Sequence, residues 1–303
     1  MRLCYLFLLL VVLFPGMLSA DIKVTRGITY GTAKGHKLLL DIYLPEPNAA
    51  QSKRPAIVGI HGGGWERGSK TDFAPIATRM AEKGYVVFAI NYRLARGGKN
   101  LWPAQLDDAQ LAVRWVRYHA QKYKVDPNRI AAVGASAGGH IAAMLGNLET
   151  REHQVEALRG YSSRANAVVS LAGPADLTKD FRKVPYYGRR TVQDIVDQLL
   201  GVPFAAGGKV DVNANAARAA SPIYQINEKT VPHLLIHGAK DQVVAVSQAR
   251  QYFAALKKAK VPSDYLELST AGHGTKNPIS LWRIFQRMER FLEKQLKQPA
   301  AAR

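Results

Sequence analysis

Short apolar runs alternate with helical stretches over most of the chain, and no other feature restricts the fold as strongly. Residues 56–60, 85–90, 130–134, 165–172, 231–237 and 265–268 are brief, rich in Val, Ile, Leu and Ala, and bounded by Gly, Pro, Asn or Asp. Between them lie stretches with helical spacing. Residues 73–83 suit one helix, and Leu106, Ala109, Val113, Val116 and Ala120 mark the face of another. Ile141, Ala142 and Leu145 follow the strand at 130–134. Val246, Ala249, Phe253 and Leu256 line a helix before the last strand, and Leu281, Phe285, Met288 and Leu292 line one after it. Strands that are apolar on both faces must be covered on both faces. The pattern therefore predicts an α/β fold, with a mostly parallel central sheet flanked by helices. Residues 22–30 and 37–44, separated by 31–35, predict a hairpin ahead of it. Asp126-Pro127-Asn128 is expected to turn the chain. Residues 173–230 fit the alternation poorly, with a helical stretch near 191–200 and a loose stretch at 205–220. They read as a lid-like insertion over one end of the sheet.

The first twenty residues read as a separate element. Arg2 gives a positive start, residues 3–14 carry no charge and are mostly aliphatic, and Pro15 and Gly16 interrupt them. Leu18-Ser19-Ala20 then ends in small residues. This is the layout of a secretory signal peptide, residues 1–20, cleaved after Ala20. A retained anchor is the alternative, although the apolar run falls short of the roughly 20 residues that span a bilayer. Cleavage leaves an α/β domain of residues 21–303, without a transmembrane segment, in a secreted or periplasmic protein.

Cys4 is the only cysteine, so a disulfide framework and a cysteine-ligated metal site are both excluded. A 47% hydrophobic and 21% charged composition excludes disordered and fibrous classes.

The strongest chemical signal is Gly134-Ala135-Ser136-Ala137-Gly138, at the junction of a strand and a helix. A serine at so tight a turn has strained dihedrals, and flanking glycines remove the collisions that side chains would cause. Its hydroxyl then projects at a helix N-terminus, where the dipole favours negative charge. An ordinary glycine-rich turn would look similar in isolation. A second glycine cluster, His61-Gly62-Gly63-Gly64-Trp65, follows the strand at 56–60. Such a loop can aim backbone N–H groups at a developing oxyanion, with the N–H of Ala137 as partner. It lacks the Lys and Ser of a P-loop and the spacing of a dinucleotide fingerprint.

Two late strands supply a carboxylate and a base. Asp241 lies in the loop after His237-Gly238, and His273 sits between Gly272 and Gly274 beyond the final strand. The order Ser136, Asp241, His273 is that of α/β-hydrolases. His273 would take the Ser136 proton, and Asp241 would orient the imidazole and stabilise its charged form. His61 is expected to brace the glycine loop. His237 and His140 are expected to be structural, and Arg93 to pair with Asp107 or Asp108. Trp65, Tyr186 and Tyr187 are candidates for the substrate wall, since aromatic faces suit sugar rings and aromatic acyl groups. No histidine cluster has metal-ligand spacing, and no metal or organic cofactor is implied.

These motifs, with Asn91-Tyr92-Arg93-Leu94 and residues 103–108, resemble the feruloyl and acetyl-xylan esterase-like group of α/β-hydrolases. That group is related to hormone-sensitive-lipase-type carboxylesterases. The likeness runs over about residues 40–290. It implies a serine carboxylic-ester hydrolase that works through an acyl-enzyme, with the N–H groups of Gly63, Gly64 and Ala137 as oxyanion donors. The expected substrates are short-chain or carbohydrate-linked esters. An arylformamidase uses the same machinery on an amide-like bond, and a catalytically inactive binding protein on the same scaffold is the reading from another class.

Lys and Arg number 42 against 23 Asp and Glu, a formal charge of +19. Lys179, Arg182, Lys183, Arg189 and Arg190 crowd the insertion, and Lys257, Lys258 and Lys260 a helix end. A solvated basic surface accounts for this. So does attraction to an acidic polysaccharide or an anionic surface. Nucleic-acid binding has no motif to support it.

Overall fold

The structure, a computed structural model, describes residues 22–46, 53–149, 155–179, 181, 184–187, 190–201 and 214–297. The signal-peptide segment, Arg182, Lys183 and Arg189 lie outside them.

Two strands open the fold. β1 (Lys23–Ala33) and β2 (His36–Leu44) pair antiparallel, with Ala33 opposite His36. The two residues between them, Lys34 and Gly35, have φ of 46° and 78°. A two-residue turn with both φ positive matches the right-handed twist of the strands it joins.

The parallel part follows as β3 (Arg54–Ile60), α1 (Ala74–Glu82), β4 (Val86–Ile90), α2 (Ala104–Tyr118), β5 (Val125–Ala135), α3 (Ala137–Asn147) and β6 (Ala167–Leu171). Next come the small antiparallel pair β7 (Pro185–Tyr187) and β8 (Arg190–Thr191), then α4 (Val192–Leu200) and α5 (Ala214–Ala219). The chain closes with β9 (His233–Gly238), α6 (Val246–Lys258), β10 (Ser263–Leu268) and α7 (Pro278–Leu292). Eight strands form one sheet in the order β1-β2-β4-β3-β5-β6-β9-β10. β2 runs antiparallel to β1 and β4, and every other neighbouring pair is parallel. This is the mostly parallel, helix-flanked sheet that the alternation predicts.

Burial explains the composition of the inner strands. Every residue of β3, β4 and β6 is buried. Successive side chains of β3 and β5 go to opposite faces. Val58 and Ala132 join a core with Leu106 of α2 and Ile141 of α3, whereas Ile57 and Val133 join one with Met80 of α1 and Met288 of α7. Both faces are therefore dry, which a parallel sheet requires.

Topology places the site. β4 lies on one side of β3 and β5 on the other, so the strand order reverses there. The loops leaving the C-terminal ends of β3 and β5 diverge at this point and open a crevice. His61-Gly62-Gly63-Gly64 leaves β3, and Ser136 leaves β5.

Two expectations are corrected. Residues 126–128 do not end an element, because β5 runs through them. Val125 pairs with Arg54, pairing breaks, and it resumes at Ile130 opposite Ala56. The Asp126 carboxylate accepts from the Asn128 N–H at 2.9 Å, and the Arg129 Nε–H donates to its other oxygen at 2.8 Å. The turn signal is thus a bulge inside a longer strand. The stretch at 205–220 is also not wholly loose, since it contains α5. The helical expectation near 191–200 is met by α4, which Thr191 and Asp194 open with a reciprocal capping box. Gly201, at φ 73°, closes it.

Candidate active site

Ser136 caps α3 with φ 54° and ψ −121°, a conformation that L-residues avoid. Its neighbours show why two glycines are needed. A Cβ on Gly134 would lie 2.2 Å from the Gly138 carbonyl oxygen, and one on Gly138 would lie 2.2 Å from that of Ile60. Both contacts are with backbone, which cannot swing aside. The Ser136 N–H donates to the Leu171 carbonyl at 2.7 Å, which ties the turn to β6.

A continuous relay leads away from this serine. Ser136 Oγ lies 2.8 Å from His273 Nε2, and His273 Nδ1 lies 2.8 Å from Asp241 Oδ2. With Nδ1–H donating to the carboxylate, Nε2 is left to accept the serine proton. The other oxygen of Asp241 accepts from the N–H groups of Val243 and Val244 at 2.8 and 2.9 Å. The Asp241 side chain is fully buried. Burial works to raise its pKa, but the hydrogen bonds from His237 and His273 and the Val244 N–H outweigh it and hold the group well below the usual carboxylate range. Asp241 is therefore a fixed anion beside the imidazole.

His237 has a larger part than its sequence position suggests. Its Nε2–H lies between the Val244 carbonyl, at 2.8 Å, and Asp241 Oδ2, at 3.2 Å. The side chain is 1% exposed. The carboxylate is thus gripped by two imidazoles and two backbone amides. The signal available in sequence was its place four residues before Asp241, on the strand that launches that loop.

The glycine loop is braced from below. His61 stacks on Tyr92 with centroids 4.3 Å apart, and its Nδ1–H donates to the Gly62 carbonyl at 2.7 Å. Tyr92 in turn donates to the His61 carbonyl at 3.1 Å. A Cβ on Gly62 would lie 3.4 Å from Ser136 Cβ, so the loop passes directly over the elbow. Gly63 and Gly64 have φ of 116° and 59°, which favours glycine at both. Arg93 pairs with Asp108 at 2.8 Å, both buried, and the Ala95 N–H donates to the Trp65 carbonyl at 2.9 Å. The expected choice between Asp107 and Asp108 falls to Asp108.

Trp65 is buried at φ 57° and donates Nε1–H to His140 Nδ1 at 3.2 Å. His140 Nε2–H donates to the Ala220 carbonyl at 2.6 Å, just after α5. His140 therefore links the tryptophan of the glycine loop to the segment between β6 and β9. Desolvation lowers its pKa to about 4, and that of His61 likewise.

Ser136 opens onto a small apolar cleft. Its lining includes Gly64, Trp65, Ala137, Phe181, Val192 and Ile195. The last three come from the segment between β6 and β9, so that segment supplies one wall. Tyr186 and Tyr187 lie in β7, and their side chains fall outside the described set. Among the described residues, no group of three or more His, Cys, Asp or Glu is placed to hold a metal ion. No helix among them is long and apolar enough to cross a membrane.

A switch-point crevice, a strained serine on a strand-to-helix turn and a Ser–His–Asp relay define an α/β-hydrolase. Within that class the chain belongs to the BD-FAE family, whose profile matches residues 40–256. The esterase LipC of Mycobacterium tuberculosis is 32% identical over 82% of this chain, and esterase LipQ of the same organism is 31% identical over 86%. The matched stretch is 59% of the length of each of these relatives. Among solved structures, esterase Est2 of Thermogutta terrifontis superposes with a TM-score of 0.73 at 27% identity, covering 95% of this chain and 97% of its own. Est2 is also known with propionate bound, with butyrate bound and phosphorylated by paraoxon.

Proposed function

We propose that the protein is a serine carboxylic-ester hydrolase that works through an acyl-enzyme on short-chain or carbohydrate-linked esters. The observation that carries this is the unbroken relay from buried Asp241 through His273 to Ser136, at 2.8 Å per step, ending on an apolar cleft. As His273 Nε2 takes the hydroxyl proton, Ser136 Oγ attacks the ester carbonyl and a tetrahedral oxyanion forms. The N–H groups of Gly63, Gly64 and Ala137 are its donors in this reading. The proton passes from His273 to the alkoxide, the alcohol leaves, and the acyl group stays on Ser136. Water then adds by the same route in reverse roles, releasing acid and free enzyme. Asp241 stabilises the imidazolium in both halves.

The propionate and butyrate found with Est2, a neighbour at 28–29% identity, support short acyl groups. Paraoxon modification of the same esterase supports an activated nucleophile in this fold. Each methylene that a pocket buries contributes roughly 0.8 kcal/mol, so an open acyl site would favour long chains steeply. Phe181, Val192 and Ile195 line the cleft, and in this reading they limit the length of the acyl group. A panel of 4-nitrophenyl esters from acetate to palmitate, with acetylated xylan and methyl ferulate, tests this. An optimum at two to four carbons is expected. An optimum at eight carbons or more, with neither carbohydrate-linked ester cleaved, replaces the reading with a lipid esterase. Ser136→Ala should lose several orders of magnitude in kcat/KM. Export through residues 1–20 belongs to the same proposal, and N-terminal sequencing of the exported protein should find Asp21 first.

A further inference from the structure

Beside the catalytic cleft lies a second, open one, whose described lining is Glu66, Arg67, Arg96, Gly97, Arg190 and Gln198. We infer that it is a subsite for a carboxylate on the sugar portion of the substrate, as in a uronic acid unit. The inference rests on the ester-hydrolase reading above and adds the charge of the alcohol part.

Glu66 organises the cleft. Its side chain is 7% exposed, and it accepts from Arg67 at 2.8 Å, from Arg190 at 2.7 Å and from Gln198 Nε2 at 2.9 Å. Burial works to raise the pKa of Glu66, but hydrogen bonds from Arg67 and Arg190 hold it below the ordinary value. The anion is therefore permanent and keeps two guanidiniums in place. Arg67 and Arg190 remain 42% and 38% exposed. Two arginines already outnumber one carboxylate. The third, Arg96, is exposed, donates Nε–H to the Glu66 backbone carbonyl, and has no carboxylate within ion-pair distance among the described residues. Among the described lining residues, three guanidiniums stand against one carboxylate. A latch between insertion and loop has no use for that excess, whereas an anionic ligand does. Guanidinium forks match planar carboxylates in geometry as well as charge.

The position ties this cleft to the reaction. Arg67 follows Gly64 by three residues, so their Cα atoms are at most about 11 Å apart. The Arg67 stem also lies against Gly63, since a Cβ there would fall 2.9 Å from Arg67 Cγ. α4 borders both clefts, giving Val192 and Ile195 to the apolar one and Gln198 to the basic one. An acyl group on Ser136 thus occupies the apolar side, and the alcohol it came from reaches the basic side, which is open enough for a polymer to continue.

Two measurements test the inference. The first compares kcat/KM for acetylated methyl glucuronoside and acetylated methyl glucoside. A preference of about tenfold for the acidic sugar is expected at low salt. It should shrink to twofold or less at 1 M NaCl, where the screening length falls to about 3 Å. Arg96→Gln should reduce the preference ratio to a similar level. The second is calorimetric binding of glucuronate, glucose and inorganic phosphate to Ser136→Ala, which needs no turnover. Glucuronate binding at least tenfold tighter than glucose, and weakened by Arg96→Gln, is the expected result. Equal binding of the two sugars, or phosphate binding as well as glucuronate, overturns the assignment. If 4-nitrophenyl acetate is cleaved while the sugar ratio is one, the subsite falls and the esterase stands. If glucuronate is selected while no ester is cleaved, the esterase reading falls instead.

Discussion

Stability should fall between pH 6.5 and pH 5, above the range in which carboxylates titrate. His61, His140 and His233 are each 2% exposed or less, and desolvation lowers the pKa of each to about 4. Their hydrogen bonds specify the neutral ring. His140 Nδ1 accepts from Trp65, so a proton there would set N–H against N–H. His61 Nε2 is buried with no hydrogen-bond partner, so a proton there would find no acceptor. His233 donates Nδ1–H to the Val231 carbonyl, and its Nε2 lies 3.1 Å from the Tyr252 hydroxyl, which already accepts from Asn147. The sign follows from linkage. Below an unfolded pKa of about 6.5 the unfolded chain takes up protons that the folded one refuses, so stability drops as pH drops. A shift from about 6.5 to about 4 costs just under ~2 kcal/mol per histidine between pH 7 and pH 5, or about 5 to 6 kcal/mol for three. That is a large part of a typical 5–15 kcal/mol total. Urea unfolding followed by tryptophan fluorescence at pH 7, 6 and 5 reads it directly, and the midpoint should fall by about 1 M or more. Midpoints that agree within about 0.3 M across this range would show that these imidazoles do not stay neutral on folding.

Three further outcomes follow from the site. Gly138→Ala should abolish detectable esterase activity and lower Tm by several degrees, because the added methyl meets the Ile60 carbonyl at 2.2 Å; a variant with wild-type Tm and activity would contradict the elbow geometry. Ser136→Gly should be inactive yet more stable by about 1 kcal/mol in urea, since glycine relieves the backbone strain at φ 54°; a destabilised variant would refute the strain argument. His237→Phe should lower kcat roughly tenfold with little change in KM and should displace the acid limb of the kcat–pH profile, because Asp241 loses one of its donors; an unchanged profile would reduce His237 to packing.

How much could be read from sequence depended on whether a signal was local. The parallel sheet was legible because strands buried on both faces must be largely apolar, as residues 56–60 of β3, all of β4 and all of β6 but Ser170 are. Ser136 was legible because the turn collides with its own neighbours unless Gly134 and Gly138 lack side chains. Asp241 and His273 were legible by their order and by the strands that precede them. The turn expected at residues 126–128 was misread because Asp and Pro signal a bulge and a chain reversal alike, and only the pairing of Val125 with Arg54 separates the two.

What tertiary structure alone decided are contacts between segments far apart in sequence. His237 reads as one more strand residue until β9 and the following loop fold its ring onto the Asp241 carboxylate. His140 reads as helix packing until Trp65, 75 positions away, and Ala220, 80 positions away, close on its two nitrogens. Glu66 and Arg190 are ordinary charged residues 124 positions apart until the insertion lies against the glycine loop and makes them one cleft. Local sequence determines which backbone shapes are sterically allowed, and that sufficed for the elbow, the strands and the order of the triad. The partner of a buried polar group is set by whichever distant segment the packed core brings within hydrogen-bond reach, and no spacing rule in the chain encodes it.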